Sequence, residues 1–237
     1  MPLPRLIIRL TITLGLPFLL LSAGARLLLT EHFLQFAYQR PGFPSDMYGF
    51  SLDDRLQYGP YAIHYLFNGE TIDYLAALRL PGDKCWNPAP GAADCALFGD
   101  RELRHMADVK QMTTALFTLA AIILAVGILV MLASRYNARL QAELRLGIRL
   151  GCQLALLTLL CLTVLSAAAW DRAFDAFHQL FFAAGTWRFP FSDSLIRLYP
   201  EQLFADAAFT LAAFTAFCAS LILALLAIRA RRSQGNI

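Results

Sequence analysis

Four apolar runs, roughly Leu6–Leu29, Met112–Ala133, Leu150–Trp170 and Leu203–Ile228, constrain this 237-residue chain more than any motif does. A helix needs about 20 mostly apolar residues to cross a hydrocarbon layer about 30 Å thick, and each run reaches that length. Charged residues make up only 16% of the chain, against about a quarter in soluble domains. The expected fold class is an all-α membrane protein: one integral domain built as a four-transmembrane-helix bundle, with extracytoplasmic loops containing short amphipathic helices. The first run follows Arg5 and Arg9 and is longer than the 7–15 apolar residues of a signal peptide, so it is expected to be a retained first helix.

Charge sets the expected orientation. The segment Ser134–Arg149 holds Arg135, Arg139, Arg145 and Arg149 against one acid, Glu143. The two ends of the chain add Arg5, Arg9, Arg229, Arg231 and Arg232. The positive-inside rule assigns all three stretches to the cytoplasm. Loop one, 30–111, carries eleven acids and seven bases; loop two, 171–202, carries four acids and three bases. Both are expected outside. No zinc-finger spacing, basic aromatic repeat or helix-turn-helix pattern points to nucleic acid.

Loop one is too long to be structureless in a compact protein. Tyr38–Pro44 reads as turns, while Asp53–Leu66 and Thr71–Leu80 carry helical apolar spacing. Leu56, Tyr58, Tyr61, Ile63 and Leu66 would then lie on the membrane surface or against the bundle. Cys85 and Cys95 frame a proline-rich excursion and form a candidate disulfide on the oxidising side. Cys152, Cys161 and Cys218 fall within apolar helices and read as small packing groups.

Two polar clusters carry the chemistry. In the first, Glu102, His105 and Asp108 recur every three residues on an outer extension of the second span, with Asp100 placed to cap its start. In the second, Asp171, Asp175 and His178 follow i, i+4, i+7 spacing where the third span leaves the membrane. A short turn joins the two spans, so His105 and His178 should emerge as neighbours at one level. Histidine, with an unperturbed pKa of about 6.5, suits proton transfer near neutrality. Two histidines can also ligate haem, or zinc with a carboxylate. There is no His-Glu-x-x-His, no Gly-x-Ser-x-Gly elbow and no P-loop. Charged helix ends in headgroup water account for the acids and arginines without any need of histidine. His32 reads as interfacial and His64 as packing or surface.

Those residues resemble a known family. Glu102-Leu-Arg-His105-Met-Ala-Asp108-Val-Lys110, Phe174-Asp-Ala-Phe-His178-Gln-Leu-Phe-Phe182 and Trp187-Arg-Phe-Pro-Phe-Ser-Asp193-Ser-Leu-Ile-Arg-Leu-Tyr-Pro200, followed by Glu201-Gln-Leu-Phe204, are similar to the lipoprotein intramolecular transacylases. The four-span layout matches as well. The resemblance implies a bacterial cytoplasmic-membrane acyltransferase acting on diacylglyceryl-modified lipoproteins. It would move the sn-2 acyl chain to the α-amino group of the same cysteine and so form the lyso-form product. It implies catalytic roles for His105 and His178. Glu102, Asp108, Asp171 and Asp175 are expected to tune or orient them, with Asp171 and Asp175 raising the basicity of His178. Trp187, Arg188 and Asp193 are expected to shape the rim, and Arg26 to face an anion. The chain is expected to act as a monomer among membrane phospholipid, without cofactor or metal, since amine attack on an ester needs neither redox chemistry nor an obligatory Lewis acid. The alternative is a non-enzymatic membrane module, such as a haem-binding electron-transfer subunit or a membrane-protein chaperone.

Overall fold

The structure, a computed structural model, describes residues 3–84, 95–183 and 185–234, and among them it is helical. The four long helices are α1 (Leu3–Leu28), α5 (Asp100–Ser134), α6 (Ala138–Ala168) and α9 (Glu201–Gln234). All four are long and apolar enough to cross a membrane. The short helices are α2 (Glu31–Tyr38), α3 (Leu52–Phe67), α4 (Asp73–Ala76), α7 (Trp170–Phe181) and α8 (Ser194–Leu198). At 1.5 Å per residue, α5 is about 50 Å long. Its charged N-terminal third, Asp100 to Lys110, therefore precedes the apolar stretch that meets lipid. The arginine-bearing segment 134–149 is mostly helical too. It turns only around residues 135–137, and Asn137 caps α6 by accepting from the Arg139 and Leu140 amides at 3.0 and 3.1 Å.

The chain forms two compact units. The first holds Met1–Ala25, Leu116–Ala173 and Thr210–Ile237, the apolar bodies of the long helices. In lipid there is no hydrophobic drive between helices, so close backbone approach carries the packing. Gly147 and Gly151, one turn apart on α6, face α1. A Cβ on Gly147 would sit 3.2 Å from the Arg9 carbonyl oxygen, and one on Gly151 would sit 3.1 Å from that of Thr13. Cys152, Ala155 and Ala219 are buried beside them. Near the start of α1, Arg9 pairs with Glu143 of α6 at 2.7 Å.

The second unit holds Arg26–Ala115 and Phe174–Phe209. Its core joins Phe50, Tyr58, Ala62, Tyr65 and Leu66 to Leu75, Leu97, Phe98, Met106, Leu195 and Leu198. A second cluster joins Leu34, Ala37 and Tyr38 to Ile63 and Leu203. The apolar side of α3, expected on the membrane surface or against the bundle, is thus buried within this unit, because α2, α8 and the start of α5 cover it. Ser51 and Asp54 form a capping box at the start of α3. The helix expected over Thr71–Leu80 is confined to α4. Beyond it the chain is extended, because Leu80 donates to the Cys95 carbonyl at 2.8 Å and Leu97 donates to that of Leu78 at 2.9 Å. These bonds flank the antiparallel bridge of Arg79 with Ala96. Cys95 is disulfide-bonded; Cys85, its expected partner, lies outside the described residues.

Loop two is fastened to loop one by buried polar groups around α8. Arg55 donates to the Arg197 carbonyl at 3.0 Å and the Pro44 carbonyl at 2.6 Å. The Arg197 guanidinium, 3.5 Å from the Phe50 ring centroid, bonds Asp46 at 3.1 Å and the Tyr48 carbonyl at 2.9 Å. Tyr38 donates to the Leu198 carbonyl at 2.6 Å. The Tyr199 hydroxyl donates to the Gly59 carbonyl.

Glu102 completes the clamp. Asp100, expected as the cap of α5, is its first helical residue, and Glu102 does the capping by reaching back to the Gly99 amide at 2.6 Å. Its other oxygen accepts the Leu195 amide of α8, also at 2.6 Å. One carboxylate therefore satisfies donors at two helix N-termini, where negative charge is favoured.

Two substitutions test these interactions. Gly151→Leu should overpack the α1–α6 interface and cost about 1–3 kcal/mol, lowering the midpoint of thermal unfolding in detergent, with Gly151→Ala milder. Glu102→Gln puts an amide donor against a backbone donor and should leave one amide unsatisfied, at about 1–3 kcal/mol. Limited proteolysis within 185–199 should accelerate in that variant, and unchanged cleavage would remove Glu102 from the clamp.

Candidate active site

Both histidines belong to the second unit, His105 on the second turn of α5 and His178 on the last turn of α7. Each is 9% exposed. Both contact Phe182, whose ring centroid lies 5.0 Å from that of His105 and 5.9 Å from that of His178. Phe189 packs edge-on against His105 at 5.4 Å, and Trp187 stacks on His178 at 5.7 Å. Two residues of one short segment thus touch the two rings. Arg101 holds that segment to α5, bonding the Arg188 carbonyl at 2.7 Å. Asp175 holds it to α7 by pairing with the Arg188 side chain and accepting from Trp187 Nε1 at 3.4 Å.

The ring nitrogens are differentiated. His178 Nδ1 lies 2.8 Å from the Phe174 carbonyl oxygen. A carbonyl can only accept, so Nδ1 carries the proton and Nε2 of the neutral ring keeps its lone pair. His105 Nδ1 is buried without a hydrogen-bond partner, an unusual state for a buried polar atom. Burial, followed by the neighbouring His178, pushes His105 down to about 4, with Asp108 working weakly the other way. Burial also holds His178 below its ordinary value, outweighing the Phe174 carbonyl and Asp175, which favour the charged form. Asp175 favours the charged form of His178 as expected, but desolvation outweighs it; Asp171, a turn earlier, stays exposed. Both rings are neutral at neutral pH.

The other expected residues fall into distinct places. Glu102 is 1% exposed and serves the clamp. Burial raises its carboxyl to about 7 against the pull of the two backbone donors. Asp175 positions Trp187 and is held below the usual carboxylate range chiefly by its hydrogen bond from Arg188. Asp108 is exposed and acts on His105 only through its charge. Asp193 is 3% exposed, precedes α8 and leaves Oδ1 unpartnered; burial raises its carboxyl. Arg188 is exposed apart from its ion pair, so it closes the rim through Asp175. Arg26 does not join the histidines; it lies 4.2 Å from the Phe67 ring centroid and bonds the Leu29 carbonyl. His64 pairs with Glu31 at the surface.

Sequence reasoning missed Phe182 and Phe189 as walls of the site, Arg101 as its tether, and the clamp of Tyr38, Asp46, Arg55 and Arg197. The signal available was an arginine inside the apolar spacing of α3 and another within α8. A long-range partner cannot be read from spacing. No group of three or more histidine, cysteine or acidic side chains among the described residues is arranged to hold a metal ion.

Comparison with known proteins places this geometry. The family model of the lipoprotein intramolecular transacylase Lit matches residues 8–204. An uncharacterized protein of Aquifex aeolicus (strain VF5) is 26% identical over 203 residues, 85% of each chain. The in meso structure of the membrane integral lipoprotein intramolecular transacylase Lit from Bacillus cereus shares the fold, with a TM-score of 0.73 at 17% identity over 97% of both chains. A variant of that protein, with one histidine replaced by arginine, gives a TM-score of 0.70, also at 17% identity, over 98% of this chain and 95% of its own. With most of its length matched by the family model, this multi-pass membrane chain belongs to the lipoprotein intramolecular transacylase family.

Proposed function

We propose that this protein moves the sn-2 acyl chain of a diacylglyceryl-modified cysteine to the α-amino group of the same cysteine. The observation that carries this reading is the pair of neutral histidines meeting at Phe182, one with a free Nε2 and the other with an unpartnered Nδ1. The amine nitrogen attacks the ester carbonyl, and an N–C bond forms as the glyceryl C–O bond breaks. His178 Nε2 takes the proton lost by the amine. His105 gives a hydrogen bond to the carbonyl oxygen as it becomes negative, or to the departing glyceryl oxygen, which leaves as an alcohol with the proton that His178 took from the amine. A neutral imidazole is a competent donor to an oxyanion when its pKa is depressed. Amine and ester already sit in one molecule, so the enzyme's entropic task is to fold the substrate into a reactive pose. The aromatic enclosure supports transfer over hydrolysis by limiting the water near the ester. The protein is assigned to the bacterial cytoplasmic membrane, with both termini inside and the histidines on the outer side. Thiol labelling of Arg139→Cys and Thr186→Cys from opposite faces of the membrane is the check on that orientation.

Mass spectrometry of a lipoprotein N-terminal peptide, before and after exposure to purified enzyme, tests the reaction. The total mass should stay constant while one acyl group relocates from glycerol to nitrogen. Release of free fatty acid would sink the proposal in favour of hydrolysis, and a gain in mass would indicate a separate phospholipid donor. His178→Ala and His105→Ala should each lower the rate by about 10²–10⁴-fold without altering thermal unfolding.

The rate should fall below pH about 8 as the substrate ammonium, with a reference pKa of about 7.7–8.0, gains its proton. The His178 limb must lie lower, because a base with a depressed pKa stays deprotonated until more acidic pH. The expected profile therefore falls first with a slope that approaches one, and steepens only at more acidic pH, where His178 gains its proton. A slope of two already at pH 7 would contradict the buried, neutral pair.

A further inference from the structure

We infer that α7 lies in the plane of the membrane interface, with its apolar face sunk into the acyl layer, and thereby holds His178 at the depth of the glyceryl esters. The inference deepens the proposed function and rests on it only for its consequence, not for the placement of the helix. Trp170, Phe174, Phe177 and Phe181 follow i, i+4, i+7, i+11 spacing, so they share one side, with Ala173 and Leu180 flanking them. Asp171, Arg172, Asp175 and Gln179 share the opposite side. His178 falls on the boundary between the two.

Toward its C-terminal end that apolar side is uncovered, while Trp170 and Phe174 are half-buried and Phe174 packs edge-on against Phe204. Phe177 is 52% exposed, Leu180 78% and Phe181 51%. Isolated exposed apolar residues need no explanation, but three on one face of one helix do. The occupant follows from chain continuity. α6 spans an apolar stretch and ends at Ala168, and only Ala169 separates it from α7. Ala169 has φ −158° and ψ 69°, which is not helical, so the chain breaks there instead of continuing the span. A helix that starts one residue beyond a membrane span starts at the membrane boundary. With a charged face and an apolar face of this sharpness, its favoured position is flat in the interface, buried about 5–10 Å at the headgroup–acyl boundary. That is the layer in which glyceryl esters lie. A histidine on the boundary between the faces meets the ester without the substrate leaving the bilayer.

Spin-label accessibility tests the placement without reference to activity. With Cys152, Cys161 and Cys218 replaced by alanine, single labels at Leu180→Cys and Gln179→Cys are read in phosphatidylcholine–phosphatidylglycerol vesicles. The Leu180 label should collide readily with dissolved oxygen and poorly with a water-soluble nickel chelate, and the Gln179 label should show the reverse. A water-exposed Leu180 label would overturn the proposal, and so would dipolar broadening from a second copy seated on the face. The consequence is tested with Leu180→Glu, a change at an exposed site. Transfer within a long-chain diacylglyceryl peptide in vesicles should fall by roughly tenfold or more, because the helix gives up apolar burial in the acyl layer. Transfer within a dibutanoyl analogue dispersed in water should be unchanged. Equal losses on both substrates would overturn the inference. If the wild-type protein relocates no acyl chain on either substrate, the reaction falls while the label result still decides the placement.

Discussion

A carboxylate at the centre of the second unit, Glu102, is the group on which the site depends. Its two oxygens each take a backbone N–H, one at the start of α5 and one at the start of α8. Three residues later, on the same side of α5, stands His105. Upstream of α8, Phe189 and Trp187 lie against the two histidine rings. Glu102 therefore ties the helix that carries His105 to α8, alongside the tether from Arg101 to the Arg188 carbonyl. A glutamine cannot replace it, because half of its amide donates. Arg55, Arg197, Tyr38 and Tyr199 hold the other side of α8 with the same economy, each giving its polar atoms to backbone carbonyls or to Asp46.

The electrostatics of the pair follow from that enclosure. An imidazole surrounded by phenylalanine and tryptophan loses hydration in its charged form, so burial outweighs the nearby acids. This suits the acyl transfer proposed for the pair. A protonated pair would repel the ammonium of the substrate and offer no base. The two neutral rings differ in their nitrogens, His178 holding its Nδ1 proton on the Phe174 carbonyl and His105 keeping a buried, unpartnered Nδ1, which fits the separate acceptor and donor roles proposed for them. Asp175 contributes at one remove, by fixing Trp187 and neutralising Arg188.

The sequence made the membrane spans legible because lipid imposes a length and a composition that no soluble core requires. It also led to His105 and His178 as neighbours, and the family resemblance marked both, although His178 stands on α7, a separate helix after the break at Ala169, and not on an extension of the third span. For α3 it left open the membrane surface or the bundle, and the apolar side is covered by α2, α8 and the starts of α5 and α9; periodicity reports that a face is covered, not by what. The Thr71–Leu80 run failed as a helix for a similar reason. Leu78 and Leu80 pair with residues 95–97, and that non-local bridge overrides a local helical pattern. Helical spacing shows the pull of Asp175 on His178 but not the larger opposing burial, because it does not show the aromatic rings brought in from elsewhere.

The bridge of Arg79 with Ala96 has a bearing on how such a chain can change over generations. Two backbone hydrogen bonds close the base of the proline-rich excursion, and Leu97 and Phe98 immediately beyond it are core residues. Residues inserted or deleted between Lys84, which pairs with Asp54 of α3, and the disulfide-bonded Cys95 alter chiefly the entropy of closing a loop, about 0.6 kcal/mol for each doubling of its length. The excursion can therefore drift in size and composition under its own selection, while the register of α5, and with it the position of His105, stays untouched.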